Sequence, residues 1–227
     1  MEFDFNSESN IYTAKTPSIK VLNDEAELWI SDECADICGW KLNGIPHDIK
    51  SEKGTVSGSI IHNPQMLILQ RSSLLKVEIS TGRIVKVWTS RDRKDETYVC
   101  VRKYLILLVD QDNNPLHEIH VQLTARGCFQ FEFYRKLCQF RCDITKAYEK
   151  ARSIKDCWCS MCVFVPTFQS LTRGEGIKQR KACITTDYET PTKNNWLSLC
   201  VGRRDDLANK FWPDADGTYT ARIQVVL

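Results

Sequence analysis

Short apolar runs cut by turn residues dominate the chain from about residue 55 onward, a pattern of strands rather than helices. The runs are Val56–Ile61, Met66–Gln70, Leu74–Ile79, Ile84–Thr89, Tyr98–Val109 and Glu118–Thr124. Asn63-Pro64, Ser80-Thr-Gly-Arg83 and Asp110-Gln-Asp-Asn-Asn-Pro115 separate them with residue types suited to tight turns. Phe129, Phe131 and Phe133 alternate with Gln130, Glu132 and Tyr134, which predicts a further strand with one aromatic face. The period then lengthens. Phe133, Leu137, Phe140, Ile144, Ala147 or Tyr148, and Ala151 recur at steps of three and four and predict the main helix. Arg135, Lys136, Lys146, Lys150 and Arg152 fall mostly off that stripe. Strands are expected again over Trp158–Phe168, Lys178–Thr186, Trp196–Val201 and Thr218–Val226, with a helical turn near Asp205–Phe211.

Many strands with one helix midway predict a mainly β fold: an antiparallel, OB-like, partly closed barrel with extra strands. Residues 1–20 are polar and read as a loose arm, while Leu28, Trp29 and Ile30 are apolar enough to dock onto the body. Charge draws the boundary a little later. Residues 1–36 hold nine acids and two bases, a balance of −7, and the remainder of the chain carries +9, which together give the net +2. The expected organisation is an acidic, partly flexible arm over 1–36 and a single β-rich domain over 37–227.

Composition is that of an ordinary globular chain, with 42% hydrophobic and 26% charged residues in 227, enough for one sizeable core. The longest apolar run, Tyr104–Val109, is the length of one buried strand and far short of a membrane helix. The leading Met-Glu-Phe-Asp-Phe-Asn lacks the basic and apolar regions of a signal peptide, so a cytoplasmic protein without membrane contact is expected. Eleven cysteines are then read as reduced thiols, most of them among apolar neighbours where Cys packs as a small hydrophobe.

Chemistry-bearing motifs are sparse. His117-Glu-Ile-His120 is one residue short of the helical zinc motif, and its two imidazoles fall on opposite faces of an extended segment. Cys157, Cys159 and Cys162 form the most metal-like cluster, with Cys34/Cys38 and Cys138/Cys142 as further pairs, but no second pair stands at the spacing of a zinc finger or ribbon. None of the four histidines joins a Cys or Ser in a nucleophile signature, and Gly174-Glu-Gly176 lacks the third glycine and following helix of a phosphate loop. The expectation is a binding protein, not an enzyme, with no cofactor.

The positive signal is basic and aromatic. Lys86 and Trp88 share one face of a strand that continues into Arg91, Arg93 and Lys94, and Arg102 lies in the next strand between Cys100 and Tyr104. Arg173, Lys178, Arg180 and Lys181 make a basic hairpin. Cations that follow phosphates beside rings that stack on bases suit single-stranded nucleic acid, DNA or RNA. The alternative is a protein-interaction or assembly module in which these charges are solvated, with the acidic arm recruiting a protein partner and homo-oligomers allowed.

Several stretches carry a family resemblance. Ile61-His-Asn-Pro-Gln-Met-Leu-Ile-Leu69, Ser72-Ser-Leu-Leu75, Leu107 through Ile119, Arg126-Gly127, Leu137-Cys138 and Glu189-Thr-Pro-Thr-Lys-Asn-Asn-Trp196 resemble a family found mainly in cyanobacteria and known only as a domain of unknown function. The resemblance runs from about residue 35 onward. It implies a bacterial, cytoplasmic, single-domain protein, and it carries over no active site.

Overall fold

The computed structural model describes residues 16–40, 44–51, 54–148, 159–174 and 179–201, with the side chains of 93 and 94 excepted. Among the described residues, fourteen strands and two α-helices follow in order: β1 Ser18–Leu22, β2 Glu27–Ser31, α1 Asp32–Cys38, β3 Ile45–Pro46, β4 Ile49–Ser51, β5 Gly54–Val56, β6 Gly58–Ile61, β7 Gln65–Arg71, β8 Leu75–Glu78, β9 Ile84–Val87, β10 Tyr98–Val109, β11 Val121–Arg126, α2 Gly127–Ala147, β12 Val163–Phe164, β13 Pro166–Arg173 and β14 Arg180–Tyr188. The main sheet runs β12-β7-β10-β11-β1-β2-β6-β3, with β8 and β9 continuing outward from β10.

The fold is mainly β, as the runs predict, but it is not a barrel. The sheet ends in two different strands, β12 and β3, and does not close on itself. Nor is it wholly antiparallel, because β1 pairs with β11 in parallel, Ser18 opposite Gln122 and Ile19 opposite Leu123. That pairing inserts the N-terminal hairpin into the sheet. Leu28, Trp29 and Ile30 are fully buried in β2, and Ser31 caps α1 by accepting a hydrogen bond from the Cys34 amide at 3.2 Å. Residues 18–36 are thus part of the β body rather than an appended arm; residues 1–15 lie outside the described residues.

Backbone proximity fixes where the hairpin sits. A Cβ at Gly58 would lie 2.3 Å from the Ile30 carbonyl oxygen and 2.5 Å from the Trp29 ring, so only glycine lets β6 approach β2 this closely. The predicted turns are in place: Asn63 and Asn113 adopt positive φ of 45° and 62°, and Gly82 one of 71°. The Asp110 carboxylate accepts from the amides of Asp112 and Asn114 at 2.9 and 2.8 Å, which closes the 110–115 turn.

The helix starts earlier than the alternation of phenylalanines predicts. Gly127, with φ 58°, turns the chain directly from β11 into α2, and Phe129 already belongs to the helical stripe. Phe129 and Phe133 stack one turn apart at 5.2 Å, while Phe131 points outward, 64% exposed. The buried stripe Phe129, Phe133, Leu137, Phe140, Ile144 and Ala147 is otherwise as predicted. It meets Tyr104 of β10, Phe164 of β12, and Phe168 and Tyr188 of the β13–β14 ribbon. Leu67 and Leu69 of β7 and Leu107 and Val109 of β10, at alternate positions, form a second cluster with Met161, Val163 and Val201.

The segment expected as a strand over Trp196–Val201 is a set of turns that touches β structure through one bridge, Cys200 opposite Cys162. The predictions at Trp158, Asp205–Phe211 and Thr218–Val226 lie outside the described residues. No described helix is long and apolar enough to cross a membrane.

Candidate nucleic-acid interface

Register places the basic residues before any side chain is considered. Val101 stands opposite Arg126, so the start of β10 and the end of β11 share one end of the sheet. Because β1 runs parallel to β11, the turn after Leu22 emerges at that same end. The β13–β14 ribbon is fastened there: Ser170 Oγ donates to the Asn23 carbonyl at 2.6 Å and the Cys183 amide to Asn23 Oδ1 at 3.0 Å. Its tip, with Arg173 directly opposite Arg180, extends past those anchors. The β8–β9 hairpin leaves β10 at the same end, through Leu75 opposite Val101.

The β9 face is more balanced than its sequence implies. Lys86, Lys76 and Cys100 form one cross-strand row. After β9 the chain folds back through a 3-10 turn, Ser90–Lys94, that returns Asp92 to that row. Asp92 Oδ1 lies 3.1 Å from Lys76 Nζ and 3.2 Å from Lys86 Nζ, and Asp95 Oδ2 lies 3.3 Å from Lys76 Nζ. Thr89 donates its amide and hydroxyl to Asp92 Oδ2 at 2.9 and 2.7 Å. Those Thr89 bonds, with the two ammonium groups, hold the Asp92 carboxyl far below its ordinary range despite its burial. Burial alone would lower the Lys76 pKa; its hydrogen bonds to Asp92 and Asp95 outweigh that and leave it raised.

The Asp92 carboxyl has its folded pKa below its unfolded one, so its contribution is complete above about pH 4 and is lost as pH falls further. Asp92→Asn leaves the buried Lys76 ammonium short of its main counterion. Hydrogen exchange of the β8 and β9 amides should speed up by about tenfold or more, with α2 amides unchanged. Equal protection in the variant would show that the ion network does not hold the hairpin.

Arg102 sits under α2 rather than on an open strand face, which corrects the sequence expectation. The helix covers that face of β10, so that Tyr104 is fully buried with its ring 5.0 Å from Phe133. The Arg102 guanidinium carbon is 3.8 Å from the Tyr134 ring centre, and that of Arg71 is 5.2 Å from the same ring. Arg102 Nε and Nη1 are buried with no hydrogen-bond partner among the described residues, as is the Tyr104 hydroxyl. Burial raises the Tyr104 pKa to about 12, against the opposing pull of Arg102 and Arg71.

Trp88 follows β9 and bonds through its amide to the Leu74 carbonyl at 2.7 Å, which continues the ladder to the level of Arg102 on β10. Trp88 and Tyr134 are both half-buried. Tyr134 was hidden in the sequence as the polar partner in a supposed strand. Once the helix is taken back to Gly127, an i, i+4 reading would have revealed it.

The remaining predicted residues separate cleanly. Arg91 is exposed; the side chains of Arg93 and Lys94, and all of Lys178, lie outside the described residues. Arg173, Arg180 and Lys181 are exposed, and Lys181 Nζ comes within 3.8 Å of Asp24 Oδ1. Arg173 and Arg180 have no carboxylate at ion-pair distance among the described residues. Exposed Arg126 at the head of α2 adds a cation at this end, and the first turn of that helix contains no acid.

His117 is structural. Its Nε2 accepts from the Leu108 amide at 2.9 Å, which leaves the proton on Nδ1 to donate to the Ile119 carbonyl at 2.6 Å. His120 does not share a ligand set with it, and burial lowers the His120 pKa. Among the described residues no group of three or more His, Cys, Asp or Glu is placed to hold a metal ion, and Cys157 lies outside them.

Comparison with known proteins gives a family without an activity. The profile described as "Domain of unknown function (DUF5895)" matches residues 14–221. The chain is similar to "Uncharacterized protein 254L" of Invertebrate iridescent virus 6, 39% identical over 251 residues that cover 90% of this chain and 75% of that protein. This agrees with a function-less family; the relative is viral, and nothing here points to a cyanobacterial source. No solved structure matches.

Proposed function

We propose, from the premise that the chain belongs to the DUF5895 family of unknown function, that it binds single-stranded nucleic acid without catalysis. The observation that carries this reading is the end of the ribbon, where exposed Arg173 and Arg180 stand directly opposite each other with no carboxylate at ion-pair distance among the described residues. Like charges in that position oppose strand pairing, and an anionic backbone laid across them reverses the sign of the interaction. Lys181, Arg126 and Arg91 extend the cationic end. Half-buried Tyr134, against the Arg102 guanidinium, and half-buried Trp88 are the rings offered for stacking, which favours unpaired bases over a closed duplex.

Fluorescence anisotropy with a labelled strand of about 20 nucleotides tests it. The single strand should bind more tightly than its duplex. Trp88→Ala and Tyr134→Ala should each weaken the single strand by about tenfold while leaving the weaker duplex binding in place. Equal binding of both forms, or no binding at low salt, would overturn the reading.

A second reading rests on the β9 edge. Among the described residues β9 pairs only with β8, and Val85 on β9 and Ile79, just after β8, are 49% and 62% exposed. A protein partner that adds a strand there would bind through main-chain and apolar contacts and respond little to salt.

A further inference from the structure

Two cysteines that the nucleic-acid reading does not use, Cys162 and Cys200, meet across one backbone bridge. Cys162, in the Cys159-Ser-Met-Cys162 turn that precedes β12, stands opposite Cys200 in an isolated antiparallel bridge. The bridge is flanked by two backbone bonds, Val163 amide to Leu199 carbonyl at 2.7 Å and Val201 amide to Met161 carbonyl at 3.0 Å. Cys162 and Cys200 are therefore a non-hydrogen-bonded pair, the closer of the two antiparallel spacings, with Cα atoms about 4.5 Å apart. That spacing falls within the range a disulfide spans. The side chains already point at each other, with the Sγ atoms 3.4 Å apart.

The surroundings divide the roles. Cys162 is 1% exposed and packed against the aromatic core, whereas Cys200 is only half-buried. The Sγ–Sγ hydrogen bond, with burial adding to it, pushes the Cys162 thiol up, and the same bond favours the thiolate at Cys200. Cys159, also buried, holds the turn through its carbonyl, which accepts from the Cys162 amide at 3.2 Å.

We propose that Cys162 and Cys200 are a thiol–disulfide exchange site whose co-substrate is a low-molecular-weight disulfide such as oxidised glutathione. The Cys200 thiolate attacks one sulfur of that disulfide, and the first glutathione leaves as a thiolate. Cys162 then attacks Cys200 Sγ in the mixed disulfide, and the second glutathione leaves. The proton from Cys162 passes to a departing thiolate. Two protein thiols are oxidised by two electrons and one small disulfide is reduced to two thiols. The new bond ties the 196–201 segment, which the Asn113 side chain also holds through the Ser198 carbonyl at 2.9 Å, covalently to β12. It closes a loop between residues 38 apart.

The test is incubation of the full chain with oxidised glutathione, followed by non-reducing peptide mapping. The expected product is a Cys162–Cys200 linked peptide, with Tm raised by about 5–10 °C and restored by dithiothreitol. Cys200→Ser should lose the linked peptide and the Tm shift, while Cys159→Ser should keep both. A Cys159–Cys162 linkage, a stable glutathione adduct on Cys200, or no reaction under conditions that oxidise a Cys-x-x-Cys control protein would each overturn the proposal.

Discussion

Replacing both ribbon-tip arginines, Arg173→Ala with Arg180→Ala, should lower affinity for single-stranded DNA by about tenfold or more at physiological salt. The two residues are exposed and paired across the ribbon, outside every buried cluster, so the variant should fold with an unchanged Tm. The signature is electrostatic. Each cation that meets a phosphate on a single strand contributes about −0.7 to the slope of log K against log salt, so the double variant should lose about 1.4 of that slope. Lys181 beside them lies 3.8 Å from the Asp24 carboxylate, whereas among the described residues neither arginine has a carboxylate at ion-pair distance. Affinity and salt slope identical to the wild type would remove the ribbon from the interface.

The largest effect on stability is expected at Phe133. This side chain is fully buried, and its ring lies 5.0 Å from Tyr104, 5.2 Å from Phe129 and 5.5 Å from Phe164. It therefore joins the central strand β10, the first turns of α2 and the short edge strand β12. Phe133→Ala removes the ring and leaves a cavity between partners that belong to three different elements and cannot all close in. A loss of about 3–5 kcal/mol in unfolding free energy is expected, read from the midpoint of a urea titration. Phe131→Ala, two residues away and 64% exposed, should cost less than about 1 kcal/mol. The contrast separates helix from strand directly, since strand alternation would have buried both rings on one face.

That contrast shows how far local pattern reaches. The turns at Asn63, Gly82 and Asn113 and the stripe from Phe133 to Ala147 were legible because each depends on residues within one turn or one helix face. The start of α2 was not, because three phenylalanines at alternate positions satisfy strand alternation and a helical i, i+4 pair equally well. Sheet closure was not legible either. The parallel pairing of β1 with β11 joins segments about a hundred residues apart, and no local signal specifies it. The acidic boundary misled for a related reason: charge is set by exposed positions, and the buried Leu28, Trp29 and Ile30 decide where the segment packs.

The candidate site divides along the same line. The exposure of the ribbon arginines was legible because a hairpin tip has little packing role to hide them. Lys86 was identified as a cation on a strand face, and it is one, but the 3-10 turn brings Asp92 back against it at 3.2 Å. Arg102 was placed on the correct strand and on the wrong kind of surface, since only the crossing of α2 over β10 reveals Tyr134 as its neighbour.

The central claim is that the cationic sheet end, with its ribbon tip, holds a nucleic-acid backbone. The dependence of single-strand affinity on salt tests it most directly. With Arg91, Arg173, Arg180 and Lys181 each meeting one phosphate, log K should fall linearly against log salt with a slope of about −3. A slope near zero, or no measurable binding at low salt, would contradict the account and leave the β9 edge as the surface to pursue.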